Sequence, residues 1–146
     1  MKVIVSVILL SLGSLFLFPS CSVSAAAKGK GDITAKEWIL VSVKSKDGLS
    51  NLTPSNDSYP TLLISEGRAS GSAGCNRFMG SVTVDGNSLK FDKIATTMML
   101  CQDGMDLEEA VLNIFGQANS YTVEKGNLLL KKDAEVLAVF KSNKTK

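Results

Sequence analysis

The chain has 146 residues, with 16 basic side chains against 14 acidic ones and no histidine. Without histidine there is no Ser-His-Asp or Cys-His catalysis and no zinc site that uses imidazole. A charge so close to balance supplies no phosphate-neutralising patch for nucleic acid.

The chain opens with basic Met1-Lys2, a continuous run of apolar and small residues from Val3 to Phe18, and small residues at Ser20, Ser22 and Ala25 to Ala27. These are the three parts of a secretory signal peptide. Pro19 breaks the run, which is somewhat short of the roughly 20 apolar residues a membrane-spanning helix needs. We expect residues 1–20 to be a leader of the lipoprotein type. Cys21 stands directly after it, preceded by a small residue as in a bacterial lipobox, although Phe18 and Pro19 depart from the usual pattern. Its thiol is the expected lipidation site. Ordinary cleavage near Ala25–Ala27 is the alternative and would leave a soluble protein. Residues 21–34 read as a tether containing Lys28-Gly29-Lys30-Gly31. Residues 35–141 form one domain, long enough for a core, and 142–146 a frayed polar tail.

Strand signals dominate the domain. Trp38 to Val43 is apolar and β-branched, and Trp38, the only tryptophan, is expected in the core. Pro60 opens a run from Thr61 to Ile64, and the Glu66-Gly67 turn leads to Arg68–Ala73. Phe78 to Val84 returns through Asp85-Gly86-Asn87, whose Gly and Asn accept positive φ. Leu89 and Phe91 alternate on the next strand, and Ile94 to Leu100 reads as a further one. A helix is expected over 106–118, with Leu107, Val111, Ile114, Phe115 and Ala118 on one stripe. Asp106 with Glu109 resembles a capping box. Ser120–Val123, Leu128–Lys131 and Glu135–Phe140 close the chain. The short turns exclude parallel crossovers. The fold class is therefore α+β, mostly antiparallel β, as a curled sheet or barrel-like closure with a single helix.

Some segments carry chemistry. Gly71-Ser72-Ala73-Gly74-Cys75-Asn76-Arg77-Phe78-Met79-Gly80 is a glycine-rich bend with a thiol. It lacks the Gly-x-Ser-x-Gly spacing of a nucleophile elbow. Asn76 and Arg77 are the candidate ligand-binding residues, since a guanidinium can hold a carboxylate or phosphate through two parallel hydrogen bonds. The competing role is structural, with Asn76 as a left-handed turn residue and Arg77 capping carbonyls or pairing with an acid. We expect the structural role. Met98, Met99, Cys101 and Met105 are soft ligands of the kind copper(I) takes. The competing role has Met98 or Met99 filling the core and Met105 beginning the helix.

Trp38-Ile39-Leu40, the Gly71–Gly80 bend, the Thr-x-Met-x-Cys run Thr97-Met98-Met99-Leu100-Cys101, and the acidic helix from Asp106 to Ala118 occur in an order that resembles the META domain family, the HslJ-like group. The resemblance runs from about Lys36 to Lys141. It implies a compact β-rich envelope or secreted domain associated with stress and virulence, and no settled molecular activity. In an exported chain, Cys75 and Cys101 are the two thiols left after Cys21, and oxidising conditions favour a disulfide between them. The expected function is that of a lipid-anchored, monomeric, non-catalytic binding module facing the periplasm, with an envelope protein or component as partner. One alternative is a periplasmic inhibitor of a hydrolase or protease, with Asp47 to Tyr59 as its protruding loop. The other is a copper binder through Met98, Met99, Cys101 and Met105.

Overall fold

Alternating apolar residues, punctuated by Gly and Asn turns, set most of the strands. The computed structural model describes residues 32–45, 48–51 and 59–143. In chain order the elements are β1 (Glu37–Ser45), β2 (Gly48–Asn51), β3 (Thr61–Ser65), β4 (Arg68–Ser72), β5 (Arg77–Asp85) and β6 (Ser88–Thr96), then α1 (Met105–Gln117), β7 (Ser120–Glu124), β8 (Asn127–Lys132) and β9 (Glu135–Ser142). The leader, Cys21 and the tail from Lys144 lie outside the described residues.

The strands form one nine-stranded sheet in the order β2-β1-β3-β4-β5-β6-β7-β8-β9, and β1 also pairs with β9. Every pairing is antiparallel. The sheet thus curls into a ring closed by its first and last strands. β1 pairs with β3 through Glu37–Ile39 and with β2 through Ser42–Ser45, so β2 extends the ring at one end. Closure leaves few free edges, which is how antiparallel sheets avoid edge-to-edge association.

The seam of the ring lies between β6 and β7, which share a single residue pair, Ser88 with Ser120. Helix α1 links β6 to β7 and packs on the β5–β6 side of that seam. Val111, Ile114 and Phe115 are buried, and the Phe115 ring lies 4.5 Å from Phe91 and 4.9 Å from Phe78. The apolar stripe at helical spacing therefore meets the inward residues of β5 and β6. Trp38, Leu40, Leu62, Ile64, Leu128, Leu130 and Phe140 fill the rest of the core. The Trp38 indole donates from Nε1 to the Ile33 carbonyl at 3.0 Å, which satisfies its polar tip while the ring stays buried.

Register divides the ring into two ends. The β4–β5 bend, the end of β6 and the start of α1 lie together at one end. The entry at Asp32, the β7–β8 turn and Asn143 share the other, around an open groove of about 690 Å³ that Lys36, Lys125 and Lys141 help to line. At the entry, Thr34 donates to the Asp32 carboxylate from its hydroxyl (2.6 Å) and its backbone N–H (2.9 Å). These bonds hold Asp32 below the usual carboxylate range.

Several expectations are corrected. Ile94 to Leu100 is not one strand: β6 ends at Thr96, and Met98 to Leu100 are in an exposed loop. The expected cap at Asp106 is also displaced. The helix starts at Met105, Gly104 is its N-cap with φ of 95°, and no side chain caps it. A left-handed φ suits glycine, so the backbone itself makes the entry turn. β2 was not expected, because Gly48–Asn51 carries little apolar alternation and exists by pairing with β1. The Asp47 to Tyr59 stretch falls partly on β2, and residues 52–58 lie outside the described residues.

Candidate functional site

Two segments far apart in sequence meet beside the start of α1. Cys75 and Cys101 are joined by a disulfide across 26 residues, with a Cα–Cα distance of 6.0 Å. The bond ties the β4–β5 bend to the loop that leads into the helix. Gly74 packs against the first turn of α1, and a Cβ there would lie 3.0 Å from the Gly104 carbonyl oxygen. The bend can approach the helix this closely because position 74 has no side chain.

Asn76 is the centre of the arrangement. It is only 2 % exposed, and its side-chain amide uses its full bonding capacity. Oδ1 accepts from the Thr97 hydroxyl and from the Met99 N–H, each at 2.7 Å. Nδ2 donates to the Met99 carbonyl at 3.1 Å and to Glu108 Oε1 at 3.2 Å. The Asn76 backbone N–H donates to Glu108 Oε2 at 2.7 Å. Asn76 is not among the residues with positive φ. Its expected role as a left-handed turn residue is therefore corrected: the side chain mimics a strand partner for Met99 and docks the bend onto α1.

Glu108, in the first turn of α1, is buried although it is an acid. Its two carboxylate oxygens are engaged by one residue, Asn76. Its place in the first turn also lets the helix dipole favour its negative charge. The Glu108 role was missed at the sequence level. The signal for it would have been an acid at a position that also falls on the buried side of the helix.

Arg77 departs from the expected structural role too. Its backbone is held, with Arg77 N–H donating to Thr97 Oγ1 at 3.2 Å and Thr97 N–H donating to the Arg77 carbonyl at 3.0 Å. Its guanidinium is exposed and has no ion-pair or hydrogen-bond partner among the described residues. The two candidate ligand residues are thus divided: Asn76 is internal scaffold, and Arg77 points a free charge into solvent.

Beside Arg77 the loop presents apolar side chains to water. Met98 is 98 % exposed and Leu100 94 % exposed, with Met99 between them also exposed. The expectation that Met98 or Met99 fills the core is corrected. The Asn76 bonds to both backbone polar groups of Met99 hold the chain out of the ladder. The copper set is reduced as well, because the disulfide removes the Cys101 thiolate and leaves the thioethers of Met98, Met99 and Met105. Among the described residues no group of three or more His, Cys, Asp or Glu side chains is placed to hold a metal ion.

A ring of antiparallel strands plugged by one helix, with a disulfide fixing an apolar loop at its rim, defines a small β domain with a built surface loop. The family model of the META domain matches residues 31–144, and the chain belongs to the META domain family. Its fold is similar to that of a protein from Burkholderia xenovorans known from an NMR structure, at 26 % identity and a TM-score of 0.66. The match covers 77 % of this chain and 85 % of that one. A second protein known from an NMR structure shares the fold at 20 % identity and a TM-score of 0.58, over 75 % of this chain and 90 % of that one. No curated protein matches the chain.

Proposed function

We propose that this META-domain chain is an exported, lipid-anchored, non-catalytic binding module of the cell envelope, and that its contact surface is the loop pinned by Cys75–Cys101. The observation that carries the reading is the pair of almost fully exposed side chains, Met98 and Leu100, on a backbone fixed by a disulfide and by Asn76. Burying each such side chain against a partner is worth about 1.5–3 kcal/mol. A backbone already fixed loses little further entropy on binding. The chain also enters the domain at the end opposite this loop. A lipid on Cys21 would therefore leave the loop facing away from the membrane.

The test has two arms. Met98→Asp with Leu100→Asp should abolish capture of an envelope partner from native membranes while the melting temperature holds. Unchanged capture would remove the loop from the function. Cys21→Ala should release the protein from the membrane fraction or block its maturation, since two acyl chains give stable anchoring. Unchanged fractionation and mature mass would make the protein soluble.

The rigidity of the same loop favours a second reading, in which it occludes the active site of a hydrolase or protease. Inhibition by the intact protein, lost in the Met98→Asp and Leu100→Asp variant, would separate inhibition from plain docking.

A further inference from the structure

The outer face of β4, β5 and β6 carries a feature that the bridged loop does not use. A shallow trough of about 390 Å³ runs across the three strands, with Ser70, Ser81 and Ala95 among its small lining residues and Arg68, Lys93 and Met79 beside them. Met79 is 68 % exposed in the middle of this face. Both arginines of the chain point outward here. Arg77 stands across from Ser72, and Arg68 across from Ser81. Arg77, Met79 and Ser81 alternate on one face of β5, so the span from Arg77 to the Arg68 row is four residues, or about 13 Å.

Lys93 reaches this face through a built irregularity. Between the pairs Ser81–Asp92 and Met79–Ala95, two residues of β6 oppose the single residue Gly80. Lys93 has φ of 51° in this bulge, while Ile94 packs on the core. A Cβ on Gly80 would lie 2.4 Å from Ile94 Cδ1, so glycine makes room for the bulge. Bulges re-aim side chains and tend to sit beside functional surfaces. None of Arg68, Arg77 and Lys93 has an ion-pair partner among the described residues, where Lys44–Glu135 is the one ion pair. Asp92 is exposed on the neighbouring strand and pairs with none of them.

We propose that this face docks an extended, acidic segment of a partner protein, with carboxylates at the Arg77 and Arg68–Lys93 ends and an apolar side chain over Met79. The inference rests on the binding-module reading and deepens it by giving the partner's chemistry. In an extended strand, residues two apart point the same way. Acids at i and i+4 with an apolar residue at i+2 therefore match the cation spacing. Arginine pairs with carboxylates in a planar fork, and a methionine surface adapts to varied apolar side chains. The concave floor suits a single chain more than a flat lipid surface. The face also lacks the Trp and Tyr that anchor proteins at membrane interfaces.

The test uses the full chain in non-ionic detergent and a fluorescein-labelled Ser/Thr peptide with Asp at i and i+4 and Leu at i+2. Anisotropy should rise saturably and weaken with salt. Arg68→Ala with Lys93→Ala should lower affinity about tenfold, the usual loss for a charge-assisted contact. Met79→Glu should weaken it further without changing the circular dichroism spectrum, and Lys125→Ala with Lys141→Ala should leave it unchanged. Several results would overturn the proposal. They are absence of binding, equal binding of a peptide with Lys in place of Asp, and an affinity indifferent to Arg68 and Lys93. Tight binding to phosphatidylglycerol vesicles that depends on the same residues would assign the face to a membrane instead. Self-association that depends on them would assign it to a second copy. If the peptide fails to bind while the Met98→Asp and Leu100→Asp variant still loses partner capture, the module stands and the trough falls.

Discussion

Asn76 illustrates how one side chain can set the geometry of a surface it does not itself reach. Replacing it with alanine removes the Nδ2 donor from Glu108 Oε1 and leaves the Met99 N–H and carbonyl without their Asn76 partners. Only the Asn76 backbone N–H could still reach the carboxylate. We expect Asn76→Ala to lower stability by roughly 3 kcal/mol, the scale of breaking buried bonds to a charged group. Glu108→Gln should cost about 1–2 kcal/mol, because one of its amide positions would present a donor to a donor. Urea denaturation measures both, and a change under about 0.5 kcal/mol for Asn76→Ala would contradict the network. Arg77 should behave in the opposite way. Its guanidinium touches nothing described, so Arg77→Lys should hold stability within about 0.5 kcal/mol. Partner capture should fall, because lysine lacks the planar fork. A lowered melting temperature with proportionate loss of capture would return Arg77 to a structural role.

At the scale of elements, the disulfide and the Asn76 bonds hold the same loop by independent means. On the chain-entropy account, closing the 26-residue separation between Cys75 and Cys101 stabilises the fold by roughly 3 kcal/mol. Reduction should therefore shift the denaturation midpoint downward without unfolding the ring. The Asn76 bonds should keep Met99 in place in the reduced protein. Labelling the unfolded, non-reduced protein should find neither thiol reactive, and finding both reactive would remove the bridge. Helix α1 depends on its surroundings in a similar way. Gly104 gives it no side-chain cap, and the buried Glu108 and the Phe115 contacts with Phe78 and Phe91 on β5 and β6 fix its position.

For the molecule as a whole, Tyr121 ties β7 to the β5–β6 hairpin by donating to the Gly86 carbonyl at 3.1 Å. Burial pushes its phenol above the ordinary value of 10.0, with the negative charge of Asp32 adding to the effect. A pKa raised in the folded state means that the unfolded chain gives up its proton first as pH rises. The contribution of Tyr121 is thus complete below about pH 10 and is lost as pH climbs through the higher folded value. Thermal melts from pH 8 to 12 should show a decline that begins near pH 10. Tyr121→Phe should remove that component while costing about 1 kcal/mol at neutral pH for the lost hydrogen bond. An alkaline decline unchanged in the Phe variant would assign it to other groups.

The sequence by itself determined the strand pattern of β1, β3 to β5 and β7 to β9, the apolar stripe of α1 and the core place of Trp38. Each of these rests on local periodicity or on a Gly and Asn turn, which neighbours in the chain decide. The family was legible for a related reason, since its short motifs keep their order along the chain. Only the tertiary structure decided that β6 stops at Thr96, that Asn76 and Glu108 are partners, and that Arg77 stands free beside an exposed Met98-Met99-Leu100. Residues 76 and 108 meet across 32 positions, and no local pattern encodes such a meeting. The run from Ile94 to Leu100 looks like a strand until Asn76 takes both polar groups of Met99 and turns the apolar side chains outward. The same is true of the trough, where both arginines share one face because the register of β4 against β5 brings positions 68 and 77 to that side of the sheet.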